Sequence, residues 1–265
     1  MKKTVLCLAL AALSAGSVLN AATQLTGGVS VSLDGILAND ENAAEKNVMT
    51  YSAGSLFVAG NFDTTFGGIS PLTTSDAFII KYDRGMAEAW KVQLMGAATV
   101  TAMLADGNGG VYVAGTYADE VIVGSTDDNT KTITGYQMKD DISGELVPSE
   151  YKAASFIAHY DGNGVLLGVN DIIPAHDPAL DDTGMYYPSD NYGDTSFAIT
   201  KLLSINGGVY AVGTLKGQIT TDDATQTATS GSYDLEMSGF YVATSAGVIV
   251  EFDDDLSVTS FPVLA

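Results

Sequence analysis

The chain has 265 residues, 46% of them hydrophobic, and a formal net charge of −21 at pH 7. Such an acidic surface repels the phosphates of nucleic acids and of anionic lipids, so we exclude both as partners. Cys7 is the only cysteine, and we expect it to be removed with the N-terminal segment. The mature chain would then have no disulfide, no thiolate nucleophile and no cysteine metal site.

Residues 1–22 are predicted to be a secretory signal peptide. Two lysines precede an uncharged apolar run from Thr4 to Ala15, and small residues follow it. The run is shorter than the ~20 residues that a membrane-spanning helix needs, and no later segment is long and apolar enough to span. We therefore expect cleavage after Ala21 or Ala22 and an extracytoplasmic location, which is periplasmic, cell-surface or secreted.

Residues 23–265 are predicted to form one all-β domain made of repeats. Two short cassettes recur three times in the same order. The first occupies Ser55–Gly60, Gly110–Gly115 and Gly208–Gly213, and the second occupies Ala77–Asp83, Ser155–Asp161 and Gly247–Asp253. Apolar residues alternate within them, as in strands, and Gly, Asp and Asn separate them, as in tight turns. We therefore predict three repeats, at about 48–97, 98–176 and 197–265.

Each repeat is predicted to contain four strands. The first repeat has them at Val48–Tyr51, Leu56–Phe62, Ala77–Tyr82 and Ala87–Met95. The second has them at Val100–Ala105, Gly110–Tyr117, Ala154–Tyr160 and Val165–Ile172, and the third at Phe197–Leu203, Val209–Leu215, Val248–Phe252 and Leu256–Leu264. Before them, residues 24–33 could add a strand at the edge of a repeat, and residues 39–47 are the best helical candidate.

Three insertions interrupt the repeats, at 116–152, 174–195 and 214–245, and all are rich in Asp, Thr, Ser, Gly and Tyr. Insertions in repeat proteins usually fall on one face, often the binding face.

One insertion carries a cluster of aromatic and acidic residues, namely Tyr186, Tyr187, Asp190, Tyr192 and Asp194. This composition is typical of a loop surface that contacts carbohydrate or peptide. The alternative is an ordered loop whose rings pack on the strands, and we favour it because a long insertion needs contacts that pin it.

The sequence DGNGGVYVAGTY, residues 106–117, is followed by SFIAHYDGNG, residues 155–164. Together they resemble the bacterial seven-bladed β-propeller-type repeat family of large exported proteins. Ser75–Asp83 with Trp90 downstream is the closest copy, and the later two repeats lack the Trp. The resemblance implies four-stranded antiparallel blades around a central axis. We expect a propeller-like array of three such blades, which is a partial or open propeller, a fragment of a longer one, or one part of a six-bladed ring of two chains.

Two acidic turns are candidate metal sites. Asp106–Gly109 and Asp161–Gly164 resemble the start of calcium-binding loops, but neither is followed by a Glu at the required spacing, so plain turns are favoured. Asp181-Asp182 and Asp253–Asp255 are likewise interpreted as solvated turn residues.

No residue is predicted to be catalytic, cofactor-binding or metal-binding. His159 is interpreted as a half-exposed strand residue and His176 as a loop residue, and the two are too far apart for a zinc signature. Neither Ser143-Gly144 nor Ser230–Ser232 matches the nucleophile elbow of a serine hydrolase.

The leading functional prediction is an exported, non-enzymatic binding or scaffold protein whose inserted loops contact a protein or carbohydrate ligand. One alternative is a propeller-type enzyme that acts on polysaccharide with two loop carboxylates. The other is a structural subunit that completes its ring by homodimerisation, since an open array exposes strand edges that invite pairing with another chain.

Overall fold

The computed structural model describes residues 48–63, 65, 68–73, 76–124, 129–139, 146–152, 154–174, 196–221, 227–234, 240–243 and 245–264. The predicted signal peptide, the predicted strand at 24–33 and the predicted helix at 39–47 lie outside them. All regular structure in the described part is β, which confirms the all-β prediction. A search of the same residues finds no helix that could cross a membrane.

The first repeat forms a four-stranded antiparallel meander, which we call meander 1. Its strands are β1 (Val48–Ser52), β2 (Ser55–Phe62), β3 (Asp76–Tyr82) and β4 (Glu88–Leu94), hydrogen-bonded in that order. All four were predicted, because local alternation and turn residues mark both their faces and their ends. The β1–β2 turn is tight, and Gly54 supplies the positive φ of +85° that it requires.

Meander 2 has the same order but contains two hairpins between its second and third strands. Its strands are β5 (Ala98–Ala105), β6 (Val111–Tyr117), β11 (Ala154–Tyr160) and β12 (Leu166–Pro174). The predicted insertion forms β7 (Glu120–Gly124) with β8 (Thr130–Thr134), and β9 (Tyr136–Lys139) with β10 (Leu146–Lys152).

Meander 3 consists of β13 (Ser196–Ile205), β14 (Gly208–Thr221), β17 (Ser245–Phe252) and a fourth position shared by β18 (Val258–Ser260) and β19 (Val263–Leu264). The predicted end of its second strand at Leu215 is wrong. β14 continues to Thr221, because its second half pairs with β12 of meander 2 and with the hairpin of β15 (Thr227–Asp234) and β16 (Phe240–Ala243). Meanders 2 and 3 therefore share one eleven-stranded sheet.

The meanders pack face to face. We call the face of a meander that packs on the following one its forward face, and the opposite face its rear face. The core between meanders 1 and 2 includes Phe57, Ala59 and Ile79 on one side and Val113 and Phe156 on the other. The core between meanders 2 and 3 includes Ala102, Ala114 and Ile157 against Phe197 and Leu202. Consecutive residues such as Phe78, Ile79 and Ile80 are all buried, because both faces of these strands are covered.

Antiparallel pairing gives every meander two different ends. The turns β1–β2 and β3–β4 and their equivalents lie at one end, which we call the turn end. The connections from a second strand to a third strand, and from one meander to the next, leave at the other end, which we call the insertion end. Because all three predicted insertions are connections of this second kind, each leaves its own meander at the insertion end.

Candidate functional site

The hairpin β7–β8 folds back along the outer edge of meander 2. Val121, Val123 and Ile133 are buried in the core between meanders 1 and 2. Ile122 pairs with Met95 after β4, with N···O distances of 2.9 and 3.1 Å between their backbones. Asn129, which directly precedes β8, reaches the turn end, where its Nδ2 donates to the carbonyl oxygen of Leu166 at 2.9 Å. This part of the first insertion therefore fills the outer space between two meanders.

The hydrophobic face of this hairpin leaves a polar face outside. Thr130, Thr132 and Thr134 alternate with core-directed positions and are exposed. Lys131 is held at the edge of the sheet, since its Nζ donates to the carbonyl oxygen of Val169 at 3.2 Å. The result is a short row of exposed threonines on β8.

At the turn end, aspartates hold the tight turns as predicted. Oδ1 of Asp106 accepts from the backbone N–H groups of Asn108 and Gly110 at 2.7 and 2.9 Å. Asp161 and Asp253 do the same for the groups two and four positions further on, at 2.7–3.0 Å. Burial opposes ionisation of Asp161, but these backbone hydrogen bonds outweigh it and lower its pKa.

The ammonium group of one lysine bonds the backbone carbonyl oxygens of two such turns. Nζ of Lys81 lies 2.7 Å from the carbonyl oxygen of Gly109 and 2.8 Å from that of Gly162. The indole N–H of Trp90 donates to the same oxygen of Gly162 at 3.1 Å. A calcium ion would need oxygens of this kind, and here they bind cationic and neutral donors of meander 1. Among the described residues, no group of three or more His, Cys, Asp or Glu side chains could hold a metal ion.

The two cassettes place one aromatic and one polar residue opposite each other in every meander. Phe57 faces Lys81, whose Nζ lies 5.6 Å from the ring centroid. Tyr112 faces His159, and their rings stack with centroids 4.0 Å apart. In meander 3, the hydroxyl of Tyr210 donates to Oε1 of Glu251 at 3.0 Å. Sequence reasoning aligned Lys81 with His159 but did not predict these pairs, which the cross-strand register would have revealed.

His159 is more buried than predicted, with its side chain 15% exposed. Besides stacking on Tyr112, its Nε2 lies 3.2 Å from Oδ2 of Asp106. Burial opposes ionisation of Asp106, but its hydrogen bonds to the backbone of Asn108, to His159 and to Gly110 lower its pKa. Within the described residues, no serine or threonine hydroxyl bonds His159.

Two further carboxylates are buried at the insertion end. Asp76 accepts from the backbone of Leu72 at 3.0 Å and of Gly96 at 3.3 Å, and from the side chains of Thr73 and Gln93 at 2.6 Å each. Burial alone would raise its pKa, yet these four donors lower it. Asp171 accepts from the hydroxyl of Tyr117 at 2.5 Å. Both groups anchor the loops and strands at this end.

Several residues singled out in the sequence lie outside the described part of the chain, namely His176, Ser143-Gly144, Asp181-Asp182 and the cluster at 186–194. Ser230–Ser232 lie in β15. No protein-family model and no curated protein matches this chain. The resemblance to a propeller repeat family therefore stays a prediction from its motifs.

Proposed function

We propose that the chain is an exported, non-enzymatic binding or scaffold protein, built as an open propeller-like array of three blades. In this proposal, meanders 1–3 are the blades and the insertion end contacts a carbohydrate or protein ligand. The observation that carries it is that all three long insertions leave their meanders at the insertion ends. Repeat scaffolds commonly present variable loops on one side in this way.

The spacing of the strands supports the blade arrangement. The first strands pack side by side, β1 against β5 and β5 against β13. Nδ2 of Asn61 donates to the carbonyl oxygen of Ala98, and Oγ1 of Thr101 to that of Ile199, so polar bonds also join successive meanders near these strands. Between meanders 1 and 2, the hairpin β7–β8 fills the space beside the fourth strands and packs against β4. Contact between first strands, with additional structure between fourth strands, is what blades around an axis require.

The chemistry of the described side chains supports a scaffold role over catalysis. Asp76 accepts hydrogen bonds that tie loops to strands, Asp171 joins β12 to β6 through Tyr117, and Asp106 and His159 hold a turn. Lys81 is engaged with two backbone carbonyl oxygens. Each of these groups has a structural partner, so the acidic insertions that leave at the insertion end are the better candidates for ligand contact.

Affinity electrophoresis in gels that contain arabinoxylan, pectin, dextran or mucin would test the proposal. We expect at least one polysaccharide to retard the protein, and a variant with residues 183–194 replaced by a Gly-Ser linker of equal length to migrate as in an empty gel. Thr132→Ala serves as a control that should stay retarded if the 183–194 insertion carries the binding. Release of reducing sugars by the wild-type protein would favour the enzyme alternative, and absence of retardation by all four would count against a carbohydrate ligand.

A further inference from the structure

The rear face of meander 1 exposes a residue whose counterparts are buried. The cross-strand registers give Met49, Met103 and Leu202 the same position, each on a first strand and opposite a residue of the second strand. Met103 is 9% exposed and Leu202 4% exposed, because each packs against the preceding meander. Met49 is 48% exposed, and its neighbour on the same face, Tyr51, is 60% exposed.

The forward face of meander 3 shows the complementary difference. Cross-strand pairing aligns Ala59 with Ile79, Ala114 with Ile157, and Val212 with Ile249. The first two pairs are buried against the following meander. The third pair, Val212 and Ile249, is only partly buried. Along β1, the rear face of meander 1 is thus exposed where its counterparts are buried, and the forward face of meander 3 is less buried than its counterparts.

Two sets of equivalent positions at the turn end extend this comparison of the three meanders. Lys81, His159 and Glu251 hold one equivalent position on the forward faces, and Gly162, Asp254 and Arg84 hold another, directly after the aspartate that ends the second cassette. Lys81 bonds Gly162 of the next meander at 2.8 Å. The charge of Asp254 in turn acts on Tyr112, the stacking partner of His159, and contributes after burial and Asp106 to raising its pKa. The two residues left over are Glu251, at the first position in meander 3, and Arg84, at the second position in meander 1, and they carry opposite charges.

Arg84 is distinctive in this acidic chain. It is the only arginine of the sequence, and it is exposed at the turn end of meander 1. Glu251 is half-buried, with Oε1 bound to Tyr210 and Oε2 to Ser260 at 3.1 Å, so its carboxylate is held in place on the forward face. A preoriented carboxylate and a guanidinium form a strong pair, since the fork of arginine can bond both oxygens.

We propose that two copies of the chain bind head to tail, with the forward face of meander 3 in one copy against the rear face of meander 1 in the other, and with Glu251 facing Arg84. Each copy uses both of its faces, so the contact between the faces and the Glu251–Arg84 pair each form twice. The two copies therefore close into a dimer of six meanders. The cluster of Val58, Phe62, Phe78, Ile80 and Tyr82 on the rear face is already buried in one chain. The contact therefore runs along β1 and the turn end, just as β5 and the Asp106 and Asp161 turns contact meander 1 inside the chain.

This arrangement does not depend on the proposed ligand-binding role, and it makes a strict prediction about charge exchange. Glu251→Arg alone and Arg84→Glu alone each place like charges at both contacts of the dimer. A 1:1 mixture of the two variants restores opposite charges at both contacts, because Arg at position 251 of one copy meets Glu at position 84 of the other. Rescue by mixing is not expected for variants that merely fold poorly.

Sedimentation equilibrium in about 0.15 M salt, over roughly 1 µM to 1 mM protein, tests the proposal. We expect the wild-type mass to rise to twice that of one chain, each single variant to associate at least tenfold more weakly, and their mixture to regain the dimer. Met49→Asp should also weaken association, and Glu120→Arg on the exposed start of β7 should not. A wild-type protein of single-chain mass throughout, or a mixture no better than its components, would overturn the proposed contact. A mass that grows beyond two chains would overturn the closed dimer, since head-to-tail contacts that do not close form open chains.

Discussion

Nζ of Lys81 lies 2.8 Å from the carbonyl oxygen of Gly162, which is 81 positions further along the chain. With its second bond to Gly109, this ammonium ties both tight turns of meander 2 to meander 1. The same Nζ lies 5.6 Å from the centroid of the Phe57 ring, which adds a cation–π contact. Lys81 therefore stabilises the interface between two meanders at the turn end.

Lys81→Gln removes a charged donor from two half-buried carbonyl oxygens. We expect the free energy of unfolding to fall by about 2–3 kcal/mol, since hydrogen bonds to charged groups contribute roughly 1.5–3 kcal/mol each and Gln can restore part of one. Urea denaturation followed by the fluorescence of Trp90, the only tryptophan, measures the change. Lys201→Gln, on an exposed position of β13, is the control and should change stability by less than about 0.5 kcal/mol. Equal effects of the two variants would contradict this role of Lys81.

Gly164 combines a left-handed backbone with close contact to Trp90. Its φ is +83°, and a Cβ placed there would lie 2.8 Å from Cδ2 of Trp90. Gly107 occupies the equivalent kind of turn at φ +82°, but a Cβ there meets nothing within 4 Å. We expect Gly107→Ala to cost about 1 kcal/mol, from backbone strain alone. Gly164→Ala should cost about 2–4 kcal/mol, because the indole must also move.

The difference between the two glycine variants can be measured by thermal unfolding, with near-ultraviolet circular dichroism as a second readout. The Trp90 signal should change in Gly164→Ala and stay the same in Gly107→Ala. Similar losses of stability without a change in the Trp90 signal would show that backbone strain alone matters.

Asp76 should make the stability of the protein dependent on pH in the acid range. Its folded-state pKa lies below the ordinary value of 3.8, so the stabilisation is fully present above about pH 4. It is lost as the pH falls through the lower, folded-state pKa, because the protonated acid no longer accepts all four donors. We expect Asp76→Asn to cost about 2–4 kcal/mol at pH 7, and less as the pH drops below 4.

Urea denaturation of wild type and Asp76→Asn at a series of pH values from 7 to about 2 gives the difference directly. Asp63→Asn, on an exposed position just after β2, is the control. A wild-type advantage over Asp76→Asn that stays constant throughout the acid range would contradict the assignment of the pH dependence to this carboxylate.

His159 contributes through two separable contacts. His159→Phe keeps an aromatic ring against Tyr112 and loses the bond to Asp106, whereas His159→Ala loses both. We expect the first to cost about 1 kcal/mol, as for one hydrogen bond, and the second about 2–3 kcal/mol, because the stacked pair and its buried area are lost as well. Chemical denaturation at pH 7 distinguishes the two, and equal costs would mean that the stack contributes nothing.

The strands of the three meanders could be predicted because their signals are local. Alternating apolar residues, as in Val111 and Val113, and turn residues, as in Asp161–Gly164, act within a few positions of the chain. The hairpins β7–β8, β9–β10 and β15–β16 and the second half of β14 were missed. Distant segments decide two of these: β7–β8 buries Val121, Val123 and Ile133 in the core between meanders 1 and 2, and the end of β14 pairs with β12.

The contacts at the candidate site also divide into local ones that the sequence predicts and long-range ones that it does not. The aspartate turns were predicted from sequence, since each carboxylate bonds backbone groups only two and four residues ahead. The bond between His159 and Asp106, and the bonds of Lys81, were not predicted, because they join residues 28 to 81 positions apart.

The sequence by itself therefore determined the all-β character and the position of most strands of the meanders, since short-range patterning encodes them. Only the tertiary structure decided which faces meet, which insertion becomes a packed hairpin and which residues remain exposed at the two ends of the array. Those properties depend on packing between distant segments. Met49 illustrates the difference. It holds the same strand position as Met103, but Met103 packs against meander 1 and is 9% exposed, whereas Met49 is 48% exposed.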